Sequence, residues 1–406
     1  MLAWKRSRKI LLCVTGGIAA YKVPDLVSRL KKLDCSVEVA MTKAAETLVS
    51  PLAISTLSGR RVWLEDEFLS SSRGFEIPHI SLADWAEVVV VAPCTANTAF
   101  GAAHGRATGI VEAALLATRA PVLLFPAMNV HLFDNPATRQ NLSILAERGV
   151  RVVDPEFGVL ACGYEGKGRL PGAGVILEEV FRALSPRHDM ANKRVLVTAG
   201  PTREYLDPIR FISNPSSGKM GLAMARTAWY RGAEVRVILG PVPPIALENL
   251  HGLEVHHVVS ALEMRNAVME NLDWADCVVK AAAVGDYRAS HVADHKIKRK
   301  NGALSLTLKE NPDIAAEVGA AKRPNQLLIG FAAETDDLVK NARAKMERKR
   351  LDIMLANDVS DPKGGFGSDF NTVRMMSRTC DDTAISGSKE EVADAVWEKI
   401  TSDGLL

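Results

Sequence analysis

KILLCVTGG at residues 9–17 and KRVLVTAGPT at residues 193–202 decide how this chain folds. Each runs from a basic residue through a short aliphatic strand to threonine and glycine, where a helix should begin. Around the first lie a helical pattern to about Lys32 and then SVEVAM, EVVVVAP, PVLLF and VRVV; around the second lie AEVRVILG, DCVVKAAAV, NQLLIGFAA and LDIMLAND. Short β-branched or aliphatic runs alternating with longer helical stretches are what parallel βαβ units produce. The alternation restarts after SPRHDMANK at 185–193, a polar stretch containing chain breakers. The sequence therefore predicts two doubly wound, mainly parallel-sheet, Rossmann-like α/β domains, residues 1–189 and 190–406, meeting near 186–192. Both glycine turns are candidate anion cradles, since backbone N–H groups and a helix N-terminus face whatever lies there. A tight connection with no ligand explains either turn equally well. GxGxxG is absent from both, which weakens a nicotinamide dehydrogenase.

The wider composition agrees with an ordinary globular chain of 406 residues, enough for two or three domains at roughly 150 residues each. Fifty lysines and arginines against 48 aspartates and glutamates leave +2, no single-sign field for duplex nucleic acid or a membrane surface. Six cysteines at 13, 35, 94, 162, 277 and 380 show neither CxxC nor His/Cys ligand spacing, which argues against a zinc site or disulfide framework and for a reducing compartment. The apolar run Ile10–Val14 is too short for a signal peptide, and no stretch approaches the roughly 20 apolar residues of a membrane span. A cytoplasmic location is expected.

Ligands of open α/β sheets sit outside the carboxyl ends of strands, so the strand ends carry the functional reading. After EVVVVA comes Pro93-Cys94-Thr95-Ala96-Asn97-Thr98, and after PVLLF comes Pro126-Ala127-Met128-Asn129. Pro78-His79-Ile80 lies between strands, and GVLACGYEGKGR at 158–169 reads as a mobile, glycine-rich flap. Singly, His79 is a loop histidine, Asn129 a helix cap and Cys162 a buried filler; together, at strand ends, they suggest a site. VTGGIAAYK at 14–22, MTKAAETLVSP at 41–51, His79-Ile80, APCTANT at 92–98, AHG at 103–105, PAMN at 126–129 and ACGYEGKGRL at 161–170 resemble the flavin-dependent cysteine decarboxylases. Specifically, they resemble the decarboxylase half of the bifunctional phosphopantothenoylcysteine decarboxylase/phosphopantothenate–cysteine ligases.

That resemblance implies FMN held by Gly16, Gly17, Ile18, Thr42, Thr95 and Asn97, with His79, Asn129 and Cys162 facing substrate. It also implies a chemistry. The carboxylate of a cysteine-derived substrate cannot leave until its electrons have a sink, which a thioaldehyde made by flavin oxidation of the thiol provides. Asn129 then orients the carboxylate, His79 assists thiol oxidation as base, and Cys162 supplies the proton of the final reduction. Leu132 and Phe133 depart from the family's methionine and tryptophan, RATGIVEAALLAT replaces an acidic helix, and Cys94 stands at a common alanine as a small residue lining the flavin pocket.

In the second half, TAGPTREYLDPIRFISNPSSGKMG at 198–221 is followed by KAAAVGDYR at 280–288, KIKRK at 296–300, NPDI at 311–314, GFAAET at 330–335 and Lys345 with Lys349. Lysines four apart on a helix are usually a solvated face; after strand-end motifs they also suit a triphosphate. This half resembles the ligase domain of the same family over residues 190–406. The resemblance implies CTP bound around Ala281, Ala282, Asp286, Lys296, Asn311, Pro312, Asp313, Ile314, Phe331, Lys345 and Lys349, with Mg²⁺ shielding the phosphates. It further implies that Asn214 and Arg210 hold an acyl-cytidylate of 4′-phosphopantothenate, that Lys296 neutralises charge during its formation, and that cysteine then takes the acyl group. Gly285 replaces a common alanine and is expected to loosen its turn. A homo-oligomer, a dodecamer of decarboxylase trimers joined through ligase dimers, is implied by resemblance alone. Two rivals are a non-catalytic flavin-binding regulatory subunit, disfavoured by the presence of His79 and Cys162, and a nicotinamide oxidoreductase, disfavoured by the missing GxGxxG.

Overall fold

The structure, a computed structural model, describes residues 2–68, 77–244, 250–299, 304–334, 338–358, 368–378 and 382–406. Lys300, Thr335 and Cys380 of the sequence reading lie outside the described residues. The chain divides into two units, Leu2–Pro186 and Arg187–Leu406.

In the first unit β1 (Lys9–Val14), β2 (Ser36–Met41), β3 (Trp63–Leu64), β4 (Val88–Cys94), β5 (Val122–Pro126) and β6 (Arg151–Val152) form one sheet in the order β3-β2-β1-β4-β5-β6, parallel throughout. A parallel sheet is covered on both faces, so its strands read as unbroken apolar runs rather than alternating ones. ILLCV of β1 and all of β4 are accordingly buried. Alternation appears one level up: Leu12, Val90 and Phe125 belong to the core on one face, and Leu11, Val89, Val91 and Leu124 to the core on the other. The helix Val23–Lys31 closes the first face because Val23, Leu26, Val27 and Leu30, spaced i, i+3, i+4, i+7, are all buried. The glycine-rich stretch forms an antiparallel hairpin, β7 (Glu156–Val159) and β8 (Glu165–Arg169). Two of its glycines, read as a source of mobility, are positions of close approach: a Cβ at Gly168 would stand 2.2 Å from the Met128 carbonyl oxygen, and one at Gly166 2.7 Å from Val130 Cγ2.

The second unit contains β9 (Arg194–Ala199), β10 (Arg203–Tyr205), β11 (Phe211–Ser213), β12 (Glu234–Leu239), β13 (Glu254–His257), β14 (Cys277–Lys280), β15 (Tyr287–Ala289), β16 (Leu308–Glu310), β17 (Leu327–Glu334), β18 (Ile353–Asp358), β19 (Phe370–Ser377) and β20 (Thr383–Ser388). Its main sheet runs β13-β12-β9-β14-β17-β18-β19-β20. The first six strands of that order are parallel, and β19 and β20 extend the edge antiparallel. The sequence reading ends at LDIMLAND, so this hairpin is an addition to it. The final helix, Lys389–Ser402, starts with a reciprocal Ser388/Glu391 capping box and buries Trp397, whose indole N–H donates to the Met224 carbonyl at 3.0 Å. Beside it the buried Arg231 donates from Nε to Asp189 at 2.9 Å and from Nη1 to Asp394 at 3.2 Å.

Both main sheets reverse their strand order beside the first strand of the unit, between β1 and β4 and between β9 and β14. The crevice outside the carboxyl ends of those strands is where open α/β sheets take their ligands. Among the described residues no helix is long and apolar enough to cross a membrane.

Candidate functional sites

In the first unit the switch point is tied together by a residue the sequence reading did not single out. Thr15, fully buried at the end of β1, donates its hydroxyl to the Pro93 carbonyl at 2.7 Å and accepts the Thr95 N–H at 3.1 Å, so the loops after β1 and β4 are fixed to one another. Gly16 is glycine because the segment after β2 crosses it: a Cβ there would meet Ala44 Cβ at 2.3 Å. Thr95 caps the helix Ala96–Ala103, accepting the Thr98 N–H. The exposed Asn97 accepts Arg106 Nη2 at 3.2 Å on Oδ1, and Arg106 is itself braced by the buried Glu112. Thr42 Oγ1 is buried and has no hydrogen-bond partner among the described residues, and Ile18 stays exposed on the turn after β1.

Asn129 and Cys162 are brought into contact, Nδ2 donating to Sγ at 3.0 Å. Asn129 also serves as the helix cap that the plainer reading expected, its Oδ1 accepting the His131 N–H at 2.8 Å. One side chain thus fixes its own rotamer through the cap and turns its amide to the sulfur. Cys162 occupies the exposed turn between β7 and β8, where the Tyr164 N–H and the Asn129 amide hold its thiol below the ordinary value. It is not a buried filler. His79 stands in the first turn of the helix Pro78–Trp85, with Nδ1 buried and unpartnered among the described residues and its ring 5.3 Å from that of Phe68.

Other sequence expectations are refined. Cys94 lies in the buried core with Cys13, and burial pushes both thiols up, so it is a core residue rather than a pocket wall. Phe133 is buried with the Arg139 guanidinium 4.1 Å from its ring centre, while Leu132 is exposed.

The second unit holds a cavity of about 940 Å³ at its switch point. Of the residues read from sequence, Asn214, Ala281, Ala282, Asp286, Asn311, Pro312, Asp313, Ile314, Phe331, Lys345 and Lys349 all line it. Its wall is built by side chains reaching from one strand end to another. Asn214 Nδ2 donates to the Val284 carbonyl at 3.1 Å, so this residue braces the segment after β14. Asn311 Nδ2 donates to the Gly285 carbonyl at 2.7 Å, and the Gly285 N–H donates to Thr202 Oγ1 at 3.0 Å. The turn at Gly285 is therefore held from both sides rather than loosened. Asp313 caps the helix Ile314–Ala321 and pairs with Lys349 at 2.9 Å; burial would raise its carboxyl, but Lys349 and the Ala316 N–H hold it below the usual range.

Arg210 and Lys296 do not line this cavity. Arg210 donates to the Ile297 carbonyl at 2.8 Å, and the buried Asp207 accepts the N–H groups of Ile209, Arg210 and Ile297, which anchors the segment carrying the exposed Lys296. Lys219, Lys280, Arg348 and Lys389 line the cavity and were not singled out in the sequence. Lys280 was legible only as part of KAAAVGDYR. Among the described residues no three or more His, Cys, Asp or Glu side chains gather to hold a metal ion.

Comparison with known proteins assigns each unit. Residues 3–185 match the family described as Flavoprotein, and residues 190–403 that described as DNA/pantothenate metabolism flavoprotein C-terminal domain. The chain is 45% identical over 373 residues to the coenzyme A biosynthesis bifunctional protein CoaBC of Bacillus subtilis, covering 91% of this chain and 90% of that one. It is 40% identical over 398 residues to the protein of the same name from Escherichia coli K12, covering 97% of each. Among solved structures, the C-terminal domain of CoaBC is 35% identical, with a TM-score of 0.44, over 53% of this chain and 97% of that one. The FMN-dependent cysteine decarboxylase SpaF is 27% identical, with a TM-score of 0.39, over 45% of this chain and 99% of that one.

Proposed function

Since the chain belongs to the family of coenzyme A biosynthesis bifunctional proteins, we propose that its second unit joins 4′-phosphopantothenate to cysteine at the expense of CTP and its first decarboxylates the product to 4′-phosphopantetheine. The chain is an enzyme with both a ligase and a decarboxylase activity.

For the first unit, the residues present fit FMN. Thr42 offers a buried hydroxyl with no partner among the described residues, and the Thr15 ties leave the helix N-terminus after Thr95 facing the switch point. When bound, FMN supplies a two-electron acceptor for the substrate thiol and later the returning hydride. The chain contributes the rest. The Asn129 amide, its direction fixed by the cap bond to His131, orients the substrate carboxylate. Cys162 holds the proton for the last step, and the Tyr164 N–H and Asn129 amide stabilise the thiolate left behind, making the thiol a better acid. His79 Nδ1, buried without a partner among the described residues, receives the proton of the substrate thiol.

For the second unit, the carboxylate of 4′-phosphopantothenate attacks the α-phosphate of CTP, pyrophosphate leaves, and the amine of cysteine displaces CMP from the acyl-cytidylate. Mg²⁺, when bound, would be held chiefly by the triphosphate and would shield its charge, since this ion usually needs few protein carboxylates. Asn214 holds the segment after β14 against the acyl group. Lys296, on the segment anchored by Arg210 and Asp207, closes onto the phosphates. A homo-oligomer belongs to the same reading and is tested by light scattering.

The observation that carries the ligase reading is that one cavity gathers the end of β14, Gly330, Phe331 and Ala332 of β17 and the NPDI turn. Purified protein incubated with 4′-phosphopantothenate, cysteine, Mg²⁺ and either CTP or ATP tests it by mass analysis. Product with CTP and little with ATP is expected. Equal product with both removes the nucleotide assignment, and no product removes the ligase reading.

A further inference from the structure

Lys280 is the last residue of β14, the strand that meets β9 at the switch point. The residue is 9% exposed and lines the cavity, and its buried Nζ has no hydrogen-bond partner among the described residues. An ammonium taken out of water with nothing to pair with is among the costlier arrangements a fold can carry. A methionine or leucine would end the strand without that cost. The obvious counter-ion is already engaged, since Asp313 accepts the Ala316 N–H at 3.1 Å and pairs with Lys349 at 2.9 Å. Burial pushes the Lys280 ammonium down to about 7, Asp313 pulls it back up, and Lys349 opposes it. Around it, lysine and arginine outnumber carboxylates five to three among the other residues lining the cavity. The chain therefore leaves a buried, unpartnered amine beside an excess of cations, and the partner that would hold it as an ammonium is an anion.

We propose that Lys280 is a binding residue of the nucleotide site, its ammonium donating to a phosphate oxygen of the bound nucleoside triphosphate. The inference rests on reading the cavity as that site. It adds a contact from the sheet itself to those expected from the loops and the helix Leu338–Arg348. A donor on a central strand is positioned by the sheet and does not need a loop to close.

Titration calorimetry on the full chain tests it, with CTP, inorganic tripolyphosphate and cytidine as separate probes on wild type and Lys280→Met. Losing one charge-assisted hydrogen bond weakens binding at least about tenfold. That loss is expected for CTP and tripolyphosphate, while cytidine binding stays unchanged. The ligand-free melting temperature of Lys280→Met should stay level or rise, because an unpaired buried charge has gone; a lysine kept for structure would lower it. Lys280→Arg, which keeps the charge, should bind tripolyphosphate better than Lys280→Met does. Wild-type affinity of Lys280→Met for CTP and tripolyphosphate overturns the proposal, and so does a loss confined to cytidine, which would place the lysine on the base. If wild type binds neither CTP nor tripolyphosphate, the nucleotide reading of the cavity fails first and the proposal with it. Should Lys280→Met not fold, Lys280→Gln decides by the same titrations.

Discussion

The two units carry the same six-strand order around their switch points and put opposite chemistry there. In Leu2–Pro186 the strand ends carry the neutral side chains of Thr15, Thr95, Asn97 and Asn129, with Thr15 tied to Thr95 and Asn129 to the sulfur of Cys162, which a hairpin supplies. In Arg187–Leu406 the strand ends open into a cavity rich in lysine, with one ammonium buried and unpaired among the described residues. The backbone topology sets where a ligand goes, and the handful of residues just past each strand decides whether that ligand meets hydrogen-bond donors and a proton or a field of positive charge. A fold shared twice in one chain therefore says little about its reactions, while the residues after β4, β5 and β14 say a great deal.

The sharpest way to break this contrast is to damage one unit and assay the other. Asn129→Asp places a second negative charge beside the substrate carboxylate, so decarboxylation should fall by about 10² or more while CTP consumption in the ligase assay stays at the wild-type rate. Cys162→Ser should stop later, with a CO₂-depleted, oxidised product held on the enzyme and visible by mass; normal turnover would remove Cys162 from the reaction. Lys296→Gln should slow pyrophosphate release by about 10² and leave the decarboxylase untouched, and slowing only the cysteine step would reassign that lysine.

Smaller effects sharpen the comparison. Arg231→Met removes a buried guanidinium that faces two partly exposed carboxylates in the second unit. A loss of about 2 kcal/mol, below the full figure for a wholly buried pair, should lower the melting of that unit and not of the first. The Cys162 thiol, held below its ordinary value by the Tyr164 N–H and the Asn129 amide, should be alkylated at a lower pH than a free cysteine. Its sign follows directly: the contacts favour the folded thiolate, so the advantage is present at high pH and is lost as pH falls through the thiol's folded value. Asn129→Leu should move the alkylation profile upward, and an unmoved profile would deny the contact. Least of all, Gly285→Ala should be neutral or stabilising by up to about 1 kcal/mol, because its Cβ would find Glu204 Cγ at 3.5 Å, an ordinary contact.

The central strands and the order of the units were legible because buried parallel strands are continuous apolar runs, and KILLCV, VVVVA and RVLVTA have no other use in a chain of this composition. The residues lining the second cavity were legible through the family resemblance, which NPDI and KAAAVGDYR carry; their position after strands alone suggested no more than a triphosphate. What escaped depended on contacts between segments far apart in sequence. Thr15 matters through Pro93 and Thr95, 78 and 80 residues away. Lys280 looked like one more lysine at the end of a strand until the fold removed its water and its partners. The glycines at 166 and 168 announced a flexible segment, yet they admit the Met128 carbonyl and the Val130 side chain at distances no Cβ would allow. The hairpin β19–β20 attaches at a sheet edge, where one face alone is buried and the apolar signal is halved.

Separation of the two chemistries is tested most directly by expressing residues 2–186 and 187–406 apart and recording the visible absorbance of each. The expected result is flavin bands on the first fragment and a colourless second one. Flavin carried by residues 187–406, or by neither fragment while the full chain is yellow, would contradict a flavin site built from the strand ends of the first unit alone.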